Sequence, residues 1–293
     1  MNKHIIGLIA FICCFMMTTC AQKKNSKDDY VVTIKTKYGD MIAILYDETP
    51  KHKENFIKLA EEHFFDSLLF HRVIKGFMIQ GGDPNSKNAE PGARLGNGGP
   101  GYTVEAEFNP KFIHEKGALS AARLGDQMNP KKESSGSQFY VVQGTVFTEE
   151  QLSVDQAKVG MGLRQMLQKP ENQPLSDSLM QCYQSGNMEA YQQMIDSLIP
   201  RIEQETGISV KKEISPEKLK AYTTVGGAPH LDGEYTVFGK IVKGLDVIDK
   251  IASQPTSPAE RPLEDIMMTV TVTEMPKKKI EKEYGYHYPE VKE

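Results

Sequence analysis

Phe70-His71-Arg72-Val73-Ile74-Lys75-Gly76-Phe77-Met78-Ile79-Gln80-Gly81-Gly82-Asp83 is the stretch on which the reading of this chain turns. Two short apolar runs, Phe70 to Ile74 and Phe77 to Gln80, flank Lys75-Gly76, so the spacing predicts two short strands around a turn. An arginine stands among large apolar side chains. A guanidinium in such surroundings needs partners, because an unpaired buried charge is costly, and Gln80 can supply a side-chain hydrogen bond. Taken alone, the stretch fits equally well a salt-bridged surface arginine beside a hydrophobic core.

Working outward, the same strand signals recur. Val32, Ile34 and Thr36 alternate with polar neighbours, Tyr38-Gly39-Asp40 turns, and Ile42 and Ile44 resume the alternation, which predicts a hairpin over Tyr30 to Tyr46. Thr49-Pro50 reads as N-cap and first residue of a short helix carrying Phe56, Leu59, Ala60 and His63 on one side. Pro91 to Tyr102 holds five glycines and must be a loop. Gly117 to Ala122, Gln138 to Val142, Tyr235 to Val242 and Ile266 to Glu274 are further strands, and Leu245, Ile248 and Ile251 mark a second helix. Many short strands with two helices predict a mainly β fold, a closed antiparallel β-barrel capped by two helices.

From 148 to 222 the pattern becomes helical, which predicts an α-helical insertion between barrel residues 30–147 and 223–276. Ser153 and Gln156 fit a capping box. Leu175, Leu179 and Cys182 form a stripe ended by Gly186, Asn187 caps the next helix, Pro200 kinks or ends it, and Ser215-Pro216 starts another. Met161, Met166, Met180, Met188 and Met194 read as core of this insertion, or as an adaptable methionine-rich binding face. Residues 277–293 form a charged tail with Tyr284, Tyr286 and Tyr288, which the sequence leaves either packed or loose.

The N-terminus stands apart. Lys3 and His4 precede an apolar run of 13 residues, Ile5 to Met17, too short to span a bilayer. This is the pattern of an export signal over 1–20. Thr19-Cys20-Ala21 fits a small-x-small cleavage site. Met17-Thr18-Thr19 before Cys20 also resembles a lipobox, with Cys20 as the lipidated first residue of a lipoprotein and 21–29 as a polar linker. Both readings place the mature chain in the cell envelope, periplasmic or anchored to the outer membrane. Of the 293 residues, the acidic side chains outnumber the basic, for a net charge of −4, which offers no footing for nucleic-acid binding.

The opening stretch closely resembles the central motif of the cyclophilins, and the resemblance continues in order. Leu95-Gly96-Asn97-Gly98-Gly99-Pro100-Gly101-Tyr102 and Glu105-Ala106-Glu107-Phe108 are similar to that family's glycine loop and the strand after it. Gly117-Ala118-Leu119-Ser120-Ala121-Ala122-Arg123, Ser135-Gly136-Ser137-Gln138-Phe139-Tyr140 and Leu231-Asp232-Gly233-Glu234-Tyr235-Thr236-Val237-Phe238-Gly239 complete six blocks. The resemblance implies a peptidyl-prolyl cis-trans isomerase. It assigns Arg72 as the donor to the prolyl nitrogen, with Gln80 and Gln138 orienting it and binding substrate backbone. It assigns the proline pocket to Phe77, Met78, Tyr140, Leu231 and Phe238, and the main-chain pairing with substrate to Ala122 and Arg123. Four departures stand out. Arg123 replaces a common Asn, Tyr140 a common Phe, which adds a hydroxyl to the proline pocket, and Tyr235 a common His. His230 occupies the position where cyclosporin-sensitive members carry Trp.

This chemistry needs no cofactor, and the seven histidines show no metal-ligand spacing. His71 reads as a hydrogen-bonded structural group. The implied partners are Xaa-Pro segments of unfolded or exported proteins, with membrane contact only through a lipid on Cys20. The alternative is a non-catalytic proline-binding chaperone or scaffold that grips its client with the insertion.

Overall fold

The computed structural model describes residues 27–289. The signal segment, Cys20 and most of the linker therefore lie outside the described residues. The barrel strands are β1 (Asp28–Thr36), β2 (Gly39–Leu45), β3 (Leu68–Leu69), β4 (Arg72–Ile74) and β5 (Met78–Gly81), followed by β6 (Thr103–Val104), β7 (Ala118–Ala121), β8 (Ser134–Ser135), β9 (Phe139–Val142), β10 (Val237–Lys243) and β11 (Met267–Pro276). Nine of them form one curled antiparallel sheet in the order β3-β11-β1-β2-β10-β7-β9-β5-β4. Its two terminal strands, β3 and β4, are neighbours in the chain, separated only by Phe70 and His71. The ends are thus joined covalently, and Phe70 N–H donates to the Ile266 carbonyl (2.9 Å) while Val73 N–H donates to that of Glu260 (2.8 Å). A sheet joined in this way leaves little free edge.

Successive strand residues point to opposite faces. Ile34, Met41, Ala43, Val73, Ile79, Leu119, Phe139 and Val141 take the inner face and build the main core. Two helices close it, α1 (Pro50–Glu61) with Phe56 and Leu59, and a later helix, Leu245–Ala252, with Val247, Ile248 and Ile251. Thr49 occupies the cap position of α1, but its hydroxyl donates to the Tyr46 carbonyl and does not accept from the helix.

Between β9 and β10 the chain forms α2 (Glu149–Leu152), α3 (Gln156–Leu167), α4 (Gln173–Gln184), α5 (Met188–Thr206) and α6 (Pro216–Thr224). The Leu245–Ala252 helix is then α7, and Lys277–Tyr284 is α8. Helices α3 to α5 have a core of their own, built on Val159, Met166, Leu179, Ile195 and Ile202. Val154 bridges Lys211, and Lys212 N–H donates to the Ser153 carbonyl (2.8 Å), so the excursion leaves and returns side by side. Looping out a long segment from adjacent ends adds little entropic penalty to the barrel.

Three local expectations are corrected. The capping box belongs to Thr148 and Gln151 on α2, whereas α3 is capped by Asp155, which accepts from the Ala157 and Lys158 amides. Of the five methionines, Met166 is fully buried, but Met161, Met180 and Met188 are more than half exposed, because they fall outside the α3–α5 seam. Helix α5 does not end at Pro200 but continues to Thr206. Ile195, Leu198 and Ile202 flank the proline and are buried, so packing outweighs the missing hydrogen bond. Pro200→Ala restores that bond on the exposed side of α5 and is expected to stabilise the chain by about 1–3 kcal/mol, read as a raised unfolding midpoint.

The tail is packed. Ile280 of α8 is fully buried against Val31 and Ile44, with Tyr284, Tyr286 and Tyr288 over the same patch. Tyr288 donates to Asp29 (2.9 Å).

Candidate active site

The register of four strands assembles a row of side chains on the face opposite the core. Arg72 lies across from Gln80, Gln80 across from Tyr140, and Tyr140 across from Ser120. Met78 and Ala122, two residues along from Gln80 and Ser120, share this face by the same alternation. Phe238 does not. Its neighbour Val237 pairs with Ser120, so Phe238 has the opposite parity. It is 2% exposed and packs on Phe56 in the core, which removes it from the expected pocket.

The row floors a cleft of about 430 Å³ walled by Arg72, Phe77, Met78, Gln80, Tyr140 and Leu231, with Leu95, Ala122 and Tyr235 at its margins. His230 stands behind Phe77, ring centroids 5.4 Å apart. A second, wider groove shares Gln80, Gly96, Ala122 and Arg123 with the first and continues past Gln138. The two together form one elongated depression able to take an extended chain.

A relay of hydrogen bonds runs along one side. Arg72 Nη1 donates to Gln80 Oε1 (3.3 Å), Gln80 Nε2 to Gln138 Oε1 (3.0 Å), and Gln138 Nε2 to the carbonyls of Gly96 (2.9 Å) and Gly98 (2.7 Å). Asp83 anchors the same glycine loop by accepting from the Gly96 amide. The Gly81-Gly82 pair has a steric cause, since Gly82 has φ +87° and a Cβ there would lie 2.1 Å from the Ser137 carbonyl oxygen.

Arg72 has a second partner that local sequence does not reveal. Its Nε donates to Glu260 (2.6 Å), a residue 188 positions away with φ +65°. Both side chains are about 40% exposed, so the pair contributes at most about 1 kcal/mol. Its effect is orientation. Two of the five guanidinium N–H groups are engaged among the described residues, and Arg72 lines the cleft.

Arg123 commits its charge to partners in the cleft wall. It donates to the Glu234 carbonyl (2.9 Å) and to Asp126 (2.6 Å), and its guanidinium lies 4.5 Å from the centroid of the Tyr235 ring. It clamps the cleft wall, with one partner three residues on and the other, Glu234, 111 positions away. The Tyr140 hydroxyl is turned away from the cleft. It bonds the fully buried His114 Nε2 (3.0 Å), so the pocket meets the ring and not the added oxygen. Burial holds this phenol protonated, well above its ordinary range.

His71 is buried beside the Leu69 backbone and the Asp83 carboxylate, and neither ring nitrogen makes a close hydrogen bond among the described residues. Burial, opposed by the Asp83 carboxylate, pushes its pKa down to about 4. Its value in the unfolded chain is higher, so the unfolded chain binds the extra proton. The stability it supports is complete above pH 6.5 and is lost as pH falls toward 4, by about 3 kcal/mol in all. His71→Phe is expected to flatten the stability-versus-pH curve over that window in urea titrations. An unchanged slope would assign the acid sensitivity to other groups.

The family model described as "Cyclophilin type peptidyl-prolyl cis-trans isomerase/CLD" matches residues 31–159 and 213–273, well over half of the chain. The chain belongs to the cyclophilin-type peptidyl-prolyl cis-trans isomerases. The match is interrupted across most of α3 to α5.

A Staphylococcus saprophyticus protein named "Putative peptidyl-prolyl cis-trans isomerase" is 30% identical over 235 residues, covering 79% of this chain and 85% of the relative. A Streptococcus pyogenes protein named "Putative bifunctional phosphatase/peptidyl-prolyl cis-trans isomerase" is 32% identical over 248 residues. That alignment covers 81% of this chain, which spans only 37% of the relative's length. A Cryptosporidium parvum cyclophilin-type isomerase, crystallised in the presence of the dipeptide Ala-Pro, aligns with a TM-score of 0.47 and 20% identity, over 83% of this chain and 98% of its own.

Proposed function

We propose that this isomerase acts on Xaa-Pro segments of exported proteins in the cell envelope, with Arg72 as the group that lowers the rotational barrier. Rotation about the prolyl C–N bond disrupts amide resonance, at a barrier of about 18–20 kcal/mol, and no bond need be made or broken. As the amide twists, the prolyl nitrogen becomes pyramidal and regains its lone pair. An N–H donor aimed at that nitrogen stabilises the twisted amide more than the planar one. Arginine suits the task because it stays protonated and its fork is rigid.

The observation that carries this reading is the Arg72 guanidinium, held by Gln80 and Glu260 at the edge of an apolar cleft, with donors to spare. Phe77, Met78, Tyr140 and Leu231 offer the apolar surface for the prolyl ring. Ala122 lies beside both grooves, where an extended substrate can pair with its main chain. The basic start, short apolar run and Cys20 supply the export reading, with Cys20 carrying the lipid that tethers the barrel to a membrane.

Two measurements test it. A structure with a bound Ala-Pro peptide is expected to show a guanidinium nitrogen of Arg72 within hydrogen-bond reach of the prolyl nitrogen. A side chain turned to the rim, away from the ring, would leave only a proline-docking surface. Metabolic labelling with an alkyne fatty acid is expected to mark the full chain and not Cys20→Ala. Equal labelling of both would remove the anchor.

A further inference from the structure

Beneath the cleft lies a second polar chain, buried and separate from the Arg72 relay. The Tyr140 hydroxyl meets His114 Nε2 (3.0 Å), and His114 Nδ1 meets Asp232 Oδ1 (3.2 Å). The same Asp232 oxygen accepts from the His114 backbone amide (3.0 Å) and the Tyr222 hydroxyl (2.7 Å), while its other oxygen takes Lys218 Nζ (2.8 Å). Tyr222 and Lys218 both come from α6. His114 and Tyr222 are fully buried and Tyr140 is 4% exposed.

The protonation pattern follows from the partners. Burial by itself would raise the Asp232 carboxyl, but the hydrogen bonds from His114, Lys218 and Tyr222 bring it down to about 2. Ionised, it is an acceptor only, so the His114 Nδ1 that meets it carries a proton. In the Nδ1–H tautomer Nε2 is an acceptor, and the Tyr140 O–H, kept protonated by burial, donates to it.

We infer that His114, oriented by Asp232, is a positioning residue for the isomerase reaction: by accepting from the Tyr140 hydroxyl it holds the tyrosine ring back as the wall of the prolyl pocket. The inference rests on the reading that the prolyl ring enters the Arg72 cleft. Its physical basis is the cost of a buried hydroxyl with no partner. Without an acceptor at His114, the Tyr140 hydroxyl is left with Ser120, opposite it on β7, or with solvent in the cleft that Tyr140 lines. A ring that swings toward that opening occupies space the proline needs. Asp232 directly follows Leu231, another wall of the cleft.

The test is a double-mutant cycle on the full chain with an Ala-Pro peptide as substrate. His114→Phe keeps the ring volume and removes both bonds. It is expected to lower kcat/KM about tenfold in the native background, the scale of a small misplacement in a binding site. In a Tyr140→Phe background, which has no hydroxyl to misplace, adding His114→Phe is expected to change kcat/KM by less than about twofold. Equal losses in both backgrounds, or no loss in the first, would overturn the inference.

Arg72→Ala assayed alongside separates the two claims. An unchanged rate in that variant sinks the site assignment, whereas a large loss there with equal His114→Phe losses in both backgrounds sinks only the role of His114. Should His114→Phe fail to fold, the imidazole ¹⁵N spectrum of the native chain decides. His114 is expected as the Nδ1–H tautomer, with an Nε2 resonance that shifts in Tyr140→Phe. A protonated Nε2, or one indifferent to Tyr140→Phe, would refute the arrangement.

Discussion

Arg72→Ala is expected to leave the fold intact and lower kcat/KM for an Xaa-Pro peptide by about a hundred- to a thousandfold, the usual cost of removing one preorganised donor from a developing charge. That loss corresponds to about 3–4 kcal/mol of transition-state stabilisation. Folding should barely notice, because the Arg72–Glu260 pair is about 40% exposed on both sides. Such a pair contributes at most about 1 kcal/mol, which moves a midpoint by only a few degrees. Arg72→Lys is the sharper comparison. It keeps the positive charge but loses the fork that lets Glu260 and Gln80 hold two N–H groups and leave others for a substrate. Most of the activity should therefore disappear with the lysine as well. Exchange spectroscopy on a short Ala-Pro peptide measures both variants, and a native rate in Arg72→Ala would end the proposed mechanism.

The second large effect is on stability. Asp232→Ala removes the acceptor shared by the His114 amide, the His114 ring, Tyr222 and Lys218. Its side chain is 12% exposed, and deleting one partner of such a buried pair costs about 3–5 kcal/mol, because the remaining partners lose their acceptor. Tyr222→Phe removes a single bond and should cost only about 1 kcal/mol. Equilibrium urea unfolding distinguishes the two.

The same carboxylate sets a low-pH limb. Its pKa falls from 3.8 in the unfolded reference to about 2 in the fold. The stability it supports is therefore present above about pH 3.8 and lost as pH drops toward 2, well below the His71 window. Were Asp232→Ala no less stable than Tyr222→Phe, the carboxylate would not be the keystone between α6 and the barrel.

Much of the framework was legible residue by residue. Alternation over Val32 to Ile44, the glycine run before Tyr102 and the periodic apolar residues of α1 and α7 each report on a few neighbours in the chain. The site motif was legible for the same reason, since Arg72, Phe77, Met78 and Gln80 occupy one hairpin of β4 and β5. Errors came where a distant partner decides. Phe238 lies in a recognisable block, but its face follows from the shifted pairing of β10 with β7, which puts Val237 across from Ser120. The added hydroxyl of Tyr140 looked like a pocket group until His114 was found behind it. Met161, Met180 and Met188 were expected in a core whose seam depends on how α3, α4 and α5 cross.

By itself the sequence determined the order of strands and helices, the helical excursion after β9, and the hairpin that carries the arginine. These depend on backbone preferences and on side-chain periods of two or 3.6 residues, which are properties of consecutive residues. Only the tertiary structure decided that Glu260 holds Arg72, that Arg123 spends its charge on the wall, and that Tyr140 turns inward to His114. Those contacts arise when strand register and loop return bring side chains up to 188 positions apart within hydrogen-bond reach, and the unmet bonding capacity of a buried polar group then selects its partner.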